Sequence, residues 1–459
     1  MKRAAAGALC LTSLMILACC TVGPNYKRPS VSVPQTYYNA GPGQTTDTAS
    51  LGDEKWWALF RDQELQKLIR TGLENNYDTR IAASRILQAQ EQVGITRANQ
   101  FPSISAAPGF TSQRLPGFTF SYFQLEALFS WNVDFWGQYR RATEAARANL
   151  LAAGWNRQQV ISTLVSNVAT AYFEMRELDT ELAISTDTLA SRRESLALTE
   201  TLANGGAAAL VDVRQAEQLV ETAAETIPDT ERQIGLEEDL ISTLIGDNPH
   251  AIPRGAAFTD QPTPPEVPAG LPSRLLERRP DIRAAEAQLA AATANIGVAR
   301  AAFFPSLPLT GGAGILSTTF AGLFDAPGAG WNFSGPLTQP IFEAGRLRAN
   351  LRLSQAQQQQ ALLTYQQTIQ TAFRQVSDAL IAYRKYRDFT LHQQLLTAAA
   401  EDAARLSDLR YRGGATSYLE VLTSQTNSFS AQLNLARARL NERLSLVQLY
   451  TALGGGWEQ

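Results

Sequence analysis

Two kinds of hydrophobic patterning run through this chain. In SYFQLEALFSWNVDF, Phe123, Leu125, Ala127, Phe129, Trp131, Val133 and Phe135 alternate with Tyr122, Gln124, Glu126, Ser130, Asn132 and Asp134, and only Leu128 breaks the rule. Alternation of this kind predicts a strand with one apolar and one wet face. GWNFSGPLT repeats it, with Trp331, Phe333 and Leu337 against Asn332 and Ser334. The stretches Ser103 to Thr111 and Ser306 to Ile315 alternate more weakly and are rich in Gly and Ala. Strands like these suit either a soluble sandwich or a membrane barrel with a wet lumen.

The second pattern has a period of seven. Ile161, Val168, Met175, Leu182, Leu189 and Leu196 recur at that spacing, with Leu164, Ala171 and Leu178 filling the interleaved seam. Such a repeat predicts coiled packing of helices with a left-handed supercoil. From Gln138 to Ala203 there is no proline and one glycine, Gly154; from Arg346 to Arg412 there is neither. Each run is long enough for roughly 100 Å of helix. Val213, Ala216, Val220, Ala223 and Ile227 continue the stripe in a return helix that Pro228 is expected to interrupt. The shorter helices, near Glu64 to Asn99 and Leu210 to Ile245, are each about half as long as the long ones.

The elements occur twice. DTRIAASRILQAQEQVGITRANQFPSI (Asp78 to Ile104) aligns without a gap on DIRAAEAQLAAATANIGVARAAFFPSL (Asp281 to Leu307), and NGGAAALVDVRQAE (Asn204 to Glu217) matches RGGATSYLEVLTSQ (Arg412 to Gln425). A tandem duplication of roughly 200 residues follows. The chain divides into a signal segment over 1–19, a tail and belt segment over 20–60, a first repeat over 61–245, a Pro-rich connector over 246–270, a second repeat over 271–453 and a tail over 454–459. The first repeat carries strands near 103–113 and 121–135 and a tip turn at 204–209; the second carries strands near 306–317 and 329–342 and a turn at 412–417.

Counting strands decides between the readings. One chain offers four, and the smallest membrane barrels need about eight. A lone chain leaves open sheet edges, which lipid does not tolerate. The long helices likewise carry seams with no globular core to cover them. Several copies must close the structure together.

Composition narrows the chemistry. The 459 residues carry a formal charge of −3 with no basic block, so nucleic acid is not an expected partner. His250 and His392 lie far apart, and beyond Cys20 the chain has no cysteine, which leaves no disulfide framework, no zinc cluster and little for catalysis. No cofactor is expected. At the N-terminus, Lys2 and Arg3 precede an apolar stretch too short to span a bilayer, ending in Leu17-Ala18-Cys19-Cys20. This ending looks like a bacterial lipobox, whose cysteine carries diacylglycerol and an N-acyl chain. Ala18 favours Cys19 as that residue. Several acyl chains on one residue make a lasting anchor.

CTVGPNYKRP, KWWALFRDQELQKLI, GLPSRLLERRPDIRAAEAQL, IGVARAAFFPS, TIPDTERQIGLEEDLISTLIG, PIFEAGRLRANL and LYTALGGGW together resemble the TolC-like outer-membrane efflux channels of tripartite pumps, lipoprotein branch. The resemblance covers nearly the whole mature chain. It implies a mixed α and β membrane protein, a homotrimer whose four strands per chain close a twelve-stranded β-barrel that continues into a long α-helical coiled-coil barrel. It implies a passive exit duct for drugs or other small molecules, working with a periplasmic adaptor and an inner-membrane, proton-driven transporter. The family's lipidated cysteine directly precedes TVGP, which points to Cys20, with Cys19 as second choice. Thr21 in place of an aspartate implies sorting to the outer membrane.

The resemblance also assigns the periplasmic mouth. Gly205, Gly206, Gly413 and Gly414 match tip turns that meet the adaptor, and their sequence alone already predicts two helix ends closed by left-handed glycine. Asp212 and Glu420 match an acidic constriction, and Tyr411 a tyrosine that helps hold the mouth shut. In a trimer these acids form rings that favour cations; each also complements its own helix dipole. Thr416-Ser417 offers an N-cap that Ala208-Ala209 does not, so the first turn is expected to fray more readily. Trp56 and Trp57 are expected to pack a buried anchor, and Glu237-Glu238-Asp239 to form a solvated helix face. Three rivals stand beside this reading: a periplasmic lipoprotein adaptor, which should carry one helical hairpin rather than two; a protein-secretion export channel; and an enzyme on a helical scaffold, for which no residue constellation is present.

Overall fold

The computed structural model describes residues 21–39, 50–256, 258, 270, 272–325 and 329–457. The signal segment, both candidate lipidation cysteines Cys19 and Cys20, and most of the Pro-rich connector lie outside the described residues. In order, the principal elements are α1 (Gln63–Asn75), α2 (Tyr77–Ala98), β1 (Ser103–Leu115), β2 (Phe118–Asn132), α3 (Gln138–Asn204), α4 (Leu210–Leu244), α5 (Pro272–Arg278), α6 (Pro280–Ala301), β3 (Pro308–Ser317), β4 (Ala329–Ser334), α7 (Arg346–Arg412) and α8 (Tyr418–Ala452), with single helical turns at Leu51–Asp53, Trp56–Leu59 and Ala321–Phe324. The two long helices α3 and α7 have 67 residues each, and their return helices α4 and α8 have 35 each, so the duplication holds at the level of helix length.

The chain forms two compact units. One contains the segment up to Val31, Ser84–Trp155 and Ile282–Thr368; the other contains Ser32–Ala83, Asn156–Asp281 and the chain from Ile369. The first unit holds a four-stranded antiparallel sheet in the order β1-β2-β3-β4. Register sorts its side chains. Ala106, Pro108 and Phe110 lie opposite Ala127, Leu125 and Phe123; Leu309, Gly311, Ala313 and Ile315 lie opposite Trp131, Phe129, Ala127 and Leu125; Trp331 and Phe333 lie opposite Ala313 and Gly311. Cross-strand partners share a face, so an apolar or glycine band crosses all four strands on one face, giving way to Ser112, Arg114, Thr119, Ser121 and Ser317 toward the β1–β2 hairpin end. The other carries Ser105, Thr111, Gln124, Glu126, Ser130, Thr310, Asn332 and Ser334, with Leu128 and Leu316 among them and Leu115, Phe118 and Phe120 at the β1–β2 hairpin end as the large apolar exceptions. Among the described strands, β1 and β4 are each paired along one side only.

The same unit straps down the start of the described chain. Val22 N–H donates to the Trp136 carbonyl at 3.0 Å, and the Arg141 guanidinium donates to Asn25 Oδ1 at 2.7 Å. Gly23, with φ of 109°, allows this approach: a Cβ there would sit 2.4 Å from Gly297 Cα. Next to it, α3 and α6 touch through Ala145, Ala148, Ala291 and Ala294, small residues that bring the two backbones close.

In the second unit the seven-residue seam is buried where it was read: Ile161, Val168 and Met175 are at most 3% exposed, with Leu164, Ala171 and Leu178 beside them. Trp56 is buried edge-on to Trp57, and Phe60 packs between Phe173 and Tyr450. Tyr172 donates to Asp62 at 2.9 Å, while Gly255 N–H donates to the Tyr172 hydroxyl. Toward the end of α3 the seam becomes polar: Ser185, Arg192, Ser195 and Thr199 are buried there, as are Thr390, Gln393, Thr397 and Ser407 on α7. Gln393 and Thr397 both donate to the Ala431 carbonyl, which ties α7 to α8.

Four expectations are corrected. The helix near Glu64 to Asn99 is two helices, because Asn76 turns out of the helix and its side chain caps α2, accepting from Asp78 and Thr79 N–H. Arg279 makes the equivalent break between α5 and α6, ahead of Pro280. Pro228 does not interrupt α4, which runs through it; Val220, Ala223 and Ile227 packed on Leu189 hold the helix together across the missing hydrogen bond. Strand pairing ends at Asn132 in β2 and at Ser334 in β4, short of 135 and 342, where Gly335 and Pro336 leave only the bridge of Ser306 with Thr338. Finally, Glu237 and Glu238 are not a solvated face: Glu238 pairs with Arg254, and Glu237 has a buried carboxylate oxygen without a partner.

Candidate functional site

The two helical hairpins end in matching turns. Gly206 N–H bonds the Ala203 carbonyl and Ala207 N–H the Leu202 carbonyl; Gly414 and Ala415 repeat this with Tyr411 and Arg410. This paired pattern is a Schellman cap, which needs a left-handed residue at its corner. Gly206 and Gly414 supply it, with φ of 74° and 70°. Gly205 and Gly413 have ordinary backbone angles and room for a Cβ, so only the second glycine of each pair is required by the turn.

The three residues expected at the mouth come together here, with different surroundings. Asp212 and Glu420 each sit in the first turn of a return helix, and both are half-buried. The Asp212 carboxylate accepts from Ala209 N–H at 3.1 Å. Glu420 is held twice, by Arg410 at 3.0 Å and by the Thr416 hydroxyl. Tyr411 packs edge-on to Tyr418 at 5.2 Å, and its hydroxyl is buried without a partner. Around this ring pair, Ala216 of α4 meets Tyr418 and Val421 of α8, joining the two hairpins. Burial raises the Tyr418 phenol above its ordinary range, so it stays neutral and a hydrogen-bond donor.

Ser417 occupies the N-cap position of α8 but its side chain caps nothing. The expected difference between the turns therefore has another cause. Thr416 reaches Glu420 instead of a backbone N–H, and Arg410 clamps Glu420 back onto the end of α7. Ala209 has no acceptor, and Asp212 returns a single bond to it. Amide exchange of residues 207–213 is expected to be several-fold faster than that of residues 415–421; equal protection at both turns would contradict this.

Comparison with known proteins agrees with the geometry. The family model described as outer membrane efflux protein matches residues 68–247 and 271–455, one match for each repeat. The chain is 37% identical over 454 residues to the probable efflux pump outer membrane protein TtgC of Pseudomonas putida, covering 96% of this chain and 94% of that one. It is 33% identical over 445 residues to the cation efflux system protein CusC of Escherichia coli, covering 96% and 97%. Among solved structures, the open state of the Neisseria gonorrhoeae MtrE outer membrane channel superposes with a TM-score of 0.88 at 33% identity, over 96% of this chain and 99% of that one. A CusC crystal structure superposes at 0.86 and 32% identity, over 95% and 100%. With a sheet that carries an apolar band across one face of all four strands, a duplicated pair of long helical hairpins and these relatives over nearly its full length, the chain belongs to the outer membrane efflux protein family and is an efflux channel of the outer membrane that extends into the periplasm.

Proposed function

We propose that three copies of this chain close a barrel of twelve strands and form the passive exit duct of a tripartite pump. The observation that carries this reading is the sheet: an apolar band crosses one face of all four strands, and β1 and β4 each leave an edge unpaired. In lipid such edges must find strands, and other copies of the same chain supply them. A periplasmic adaptor meets the turns at Gly205-Gly206 and Gly413-Gly414, and an inner-membrane, proton-driven transporter supplies energy. Relatives are named for toluene, antibiotic and cation efflux, which supports small molecules as cargo. Asp212, Glu420 and Tyr411 form the periplasmic gate, with Asp212 the less neutralised acid because Arg410 already pairs with Glu420. Cys20 carries the lipid, directly before the strapped segment that begins at Thr21.

Native mass measurement in mild detergent is expected to give three chains, and the purified protein to conduct in planar bilayers with a preference for cations. Asp212→Asn is expected to reduce that preference more than Glu420→Gln. A single-chain mass, or no conductance from either variant, would overturn the reading. For the anchor, globomycin treatment is expected to raise the mass by the uncleaved signal segment; an unchanged mass sinks the lipoprotein assignment.

A further inference from the structure

Arg192 lies in α3, three turns before the tip, and is 2% exposed. Its Nη1 donates to the Leu219 carbonyl of α4 at 2.6 Å, and its guanidinium faces the Phe429 ring of α8 at 4.8 Å. It thus bridges the first hairpin to the second. Other buried arginines here rest on carboxylates: Arg141 on Glu144, Arg176 on Asp179, Arg279 on Asp281. Arg192 does not. Its Nε is buried without a partner, and among the described residues a carbonyl, a ring face and the nearby Tyr418 phenol answer the charge, with no ion-paired carboxylate.

A buried ion without a paired carboxylate is a liability in this packed arrangement. One carbonyl hydrogen bond and one aromatic face return less than full hydration of the guanidinium. Beside it lies a cavity of about 410 Å³ between α3, α7 and α8, whose wall includes Arg192, Asp187, Ser191, Asp408 and Gln425. The Gln425 side-chain amide oxygen, Oε1, is itself buried without a partner. The surrounding seam is the polar stretch of Ser185, Ser195 and Thr199, which resists separation less than the Val168 and Met175 region does.

We propose that Arg192 is a positioning residue that primes the mouth to open: when α8 draws Phe429 away, the guanidinium hydrates in this polar cavity, so its burial biases the two hairpins toward parting. This rests on the reading of Asp212, Glu420 and Tyr411 as a periplasmic gate, and takes that gate to open by the hairpins parting. The sign is the opposite of a clamp, and that makes it testable.

Hydrogen exchange on the full-length protein in detergent reads the seam directly, at amides 213–219 of α4 and 418–429 of α8. Arg192→Met fills the same volume without charge and is expected to slow exchange there about tenfold. Phe429→Leu leaves the charge and removes its ring partner, and is expected to speed it. A merely structural arginine gives faster exchange in both. Exchange at or above the wild-type rate in Arg192→Met overturns the proposal, and Arg192→Leu must give the same sign as Met so that one poorly fitting side chain does not decide. In planar bilayers Arg192→Met is expected to open less often than wild type. Slowed exchange with unchanged opening overturns the link to the mouth while leaving the channel reading intact; a silent wild type overturns the channel reading itself.

Discussion

Arginine in place of Leu125 is expected to abolish the assembled channel, whereas arginine at the adjacent Gln124 leaves assembly intact. Leu125 sits opposite Pro108 on one side and Ile315 on the other, in the middle of the apolar face of the sheet. Gln124, one residue away, lies opposite Gly109 and Leu316 on the other face. A cation on the lipid face near the bilayer midplane costs about 2–4 kcal/mol, and three copies in a closed ring bring this to about 6–12 kcal/mol. That is comparable to the whole stability of an ordinary domain. On the lumen face the guanidinium stays in water, beside Gly109, which leaves it room. The fraction of trimer extracted from outer membranes, followed by native electrophoresis, measures both variants. Equal assembly of the two would mean that the faces are assigned the wrong way round or that the sheet does not meet lipid. Ion selectivity is a second reading: Gln124→Arg is expected to shift it toward anions, because only that side chain looks into the pore.

Much of this was legible from the chain because it depends on short-range periodicity. The alternation from Phe123 to Trp131 and the seam from Ile161 to Met175 are local signals, and the sheet and the buried helix faces follow them. The duplication was legible for the same reason, since each half repeats the order of elements. What escaped notice depends on partners distant in sequence. Asn76 breaks a helix partly because its side chain donates to the Leu244 carbonyl, 168 positions away. Pro228 survives inside α4 because Leu189 of another helix packs on Val220 and Ala223, the turns just ahead of it. Glu238 looked like part of a solvated acidic run until Arg254 folded back onto it. At the mouth, the positions of Asp212, Glu420 and Tyr411 could be matched by motif, but that Arg410 neutralises one acid and not the other could not. Arg192 and Glu177 carried no signal of their own: each reads as an ordinary charge on an amphipathic helix, and only tertiary packing removes their water.

Glu177 leads to the second large effect, a loss of stability as pH rises. Its side chain is 5% exposed, with one carboxylate oxygen buried and without a partner. Glu174 and Glu181 flank it on the same face of α3, Glu237 of α4 adds a further negative charge near Glu174, and among the described residues the cation acting on it is Arg437 of α8, 3.6 Å from Glu181 and largely exposed. Desolvation first, then repulsion from Glu181, pushes the Glu177 carboxyl up to about 7 from 4.5. The folded protein therefore holds a proton here that the unfolded chain has released between these values. Its stabilising contribution is complete below about pH 4.5 and is lost as pH rises through about 7. The shift corresponds to about 3 kcal/mol per chain at most, or about 3 °C in melting midpoint for a chain of this length. Glu177→Gln keeps the shape and removes the charge. Between about pH 5 and pH 8 its melting midpoint is expected to fall less than that of the wild type, by that amount, with the variant the more stable protein at the alkaline end. Parallel pH profiles would show that Glu177 is hydrated or paired in the assembled channel. Because the periplasm follows the external medium, such a group makes the packing of α3 against α8 tighter in acid than in alkali, several turns above the gate and independently of the rings formed by Asp212 and Glu420.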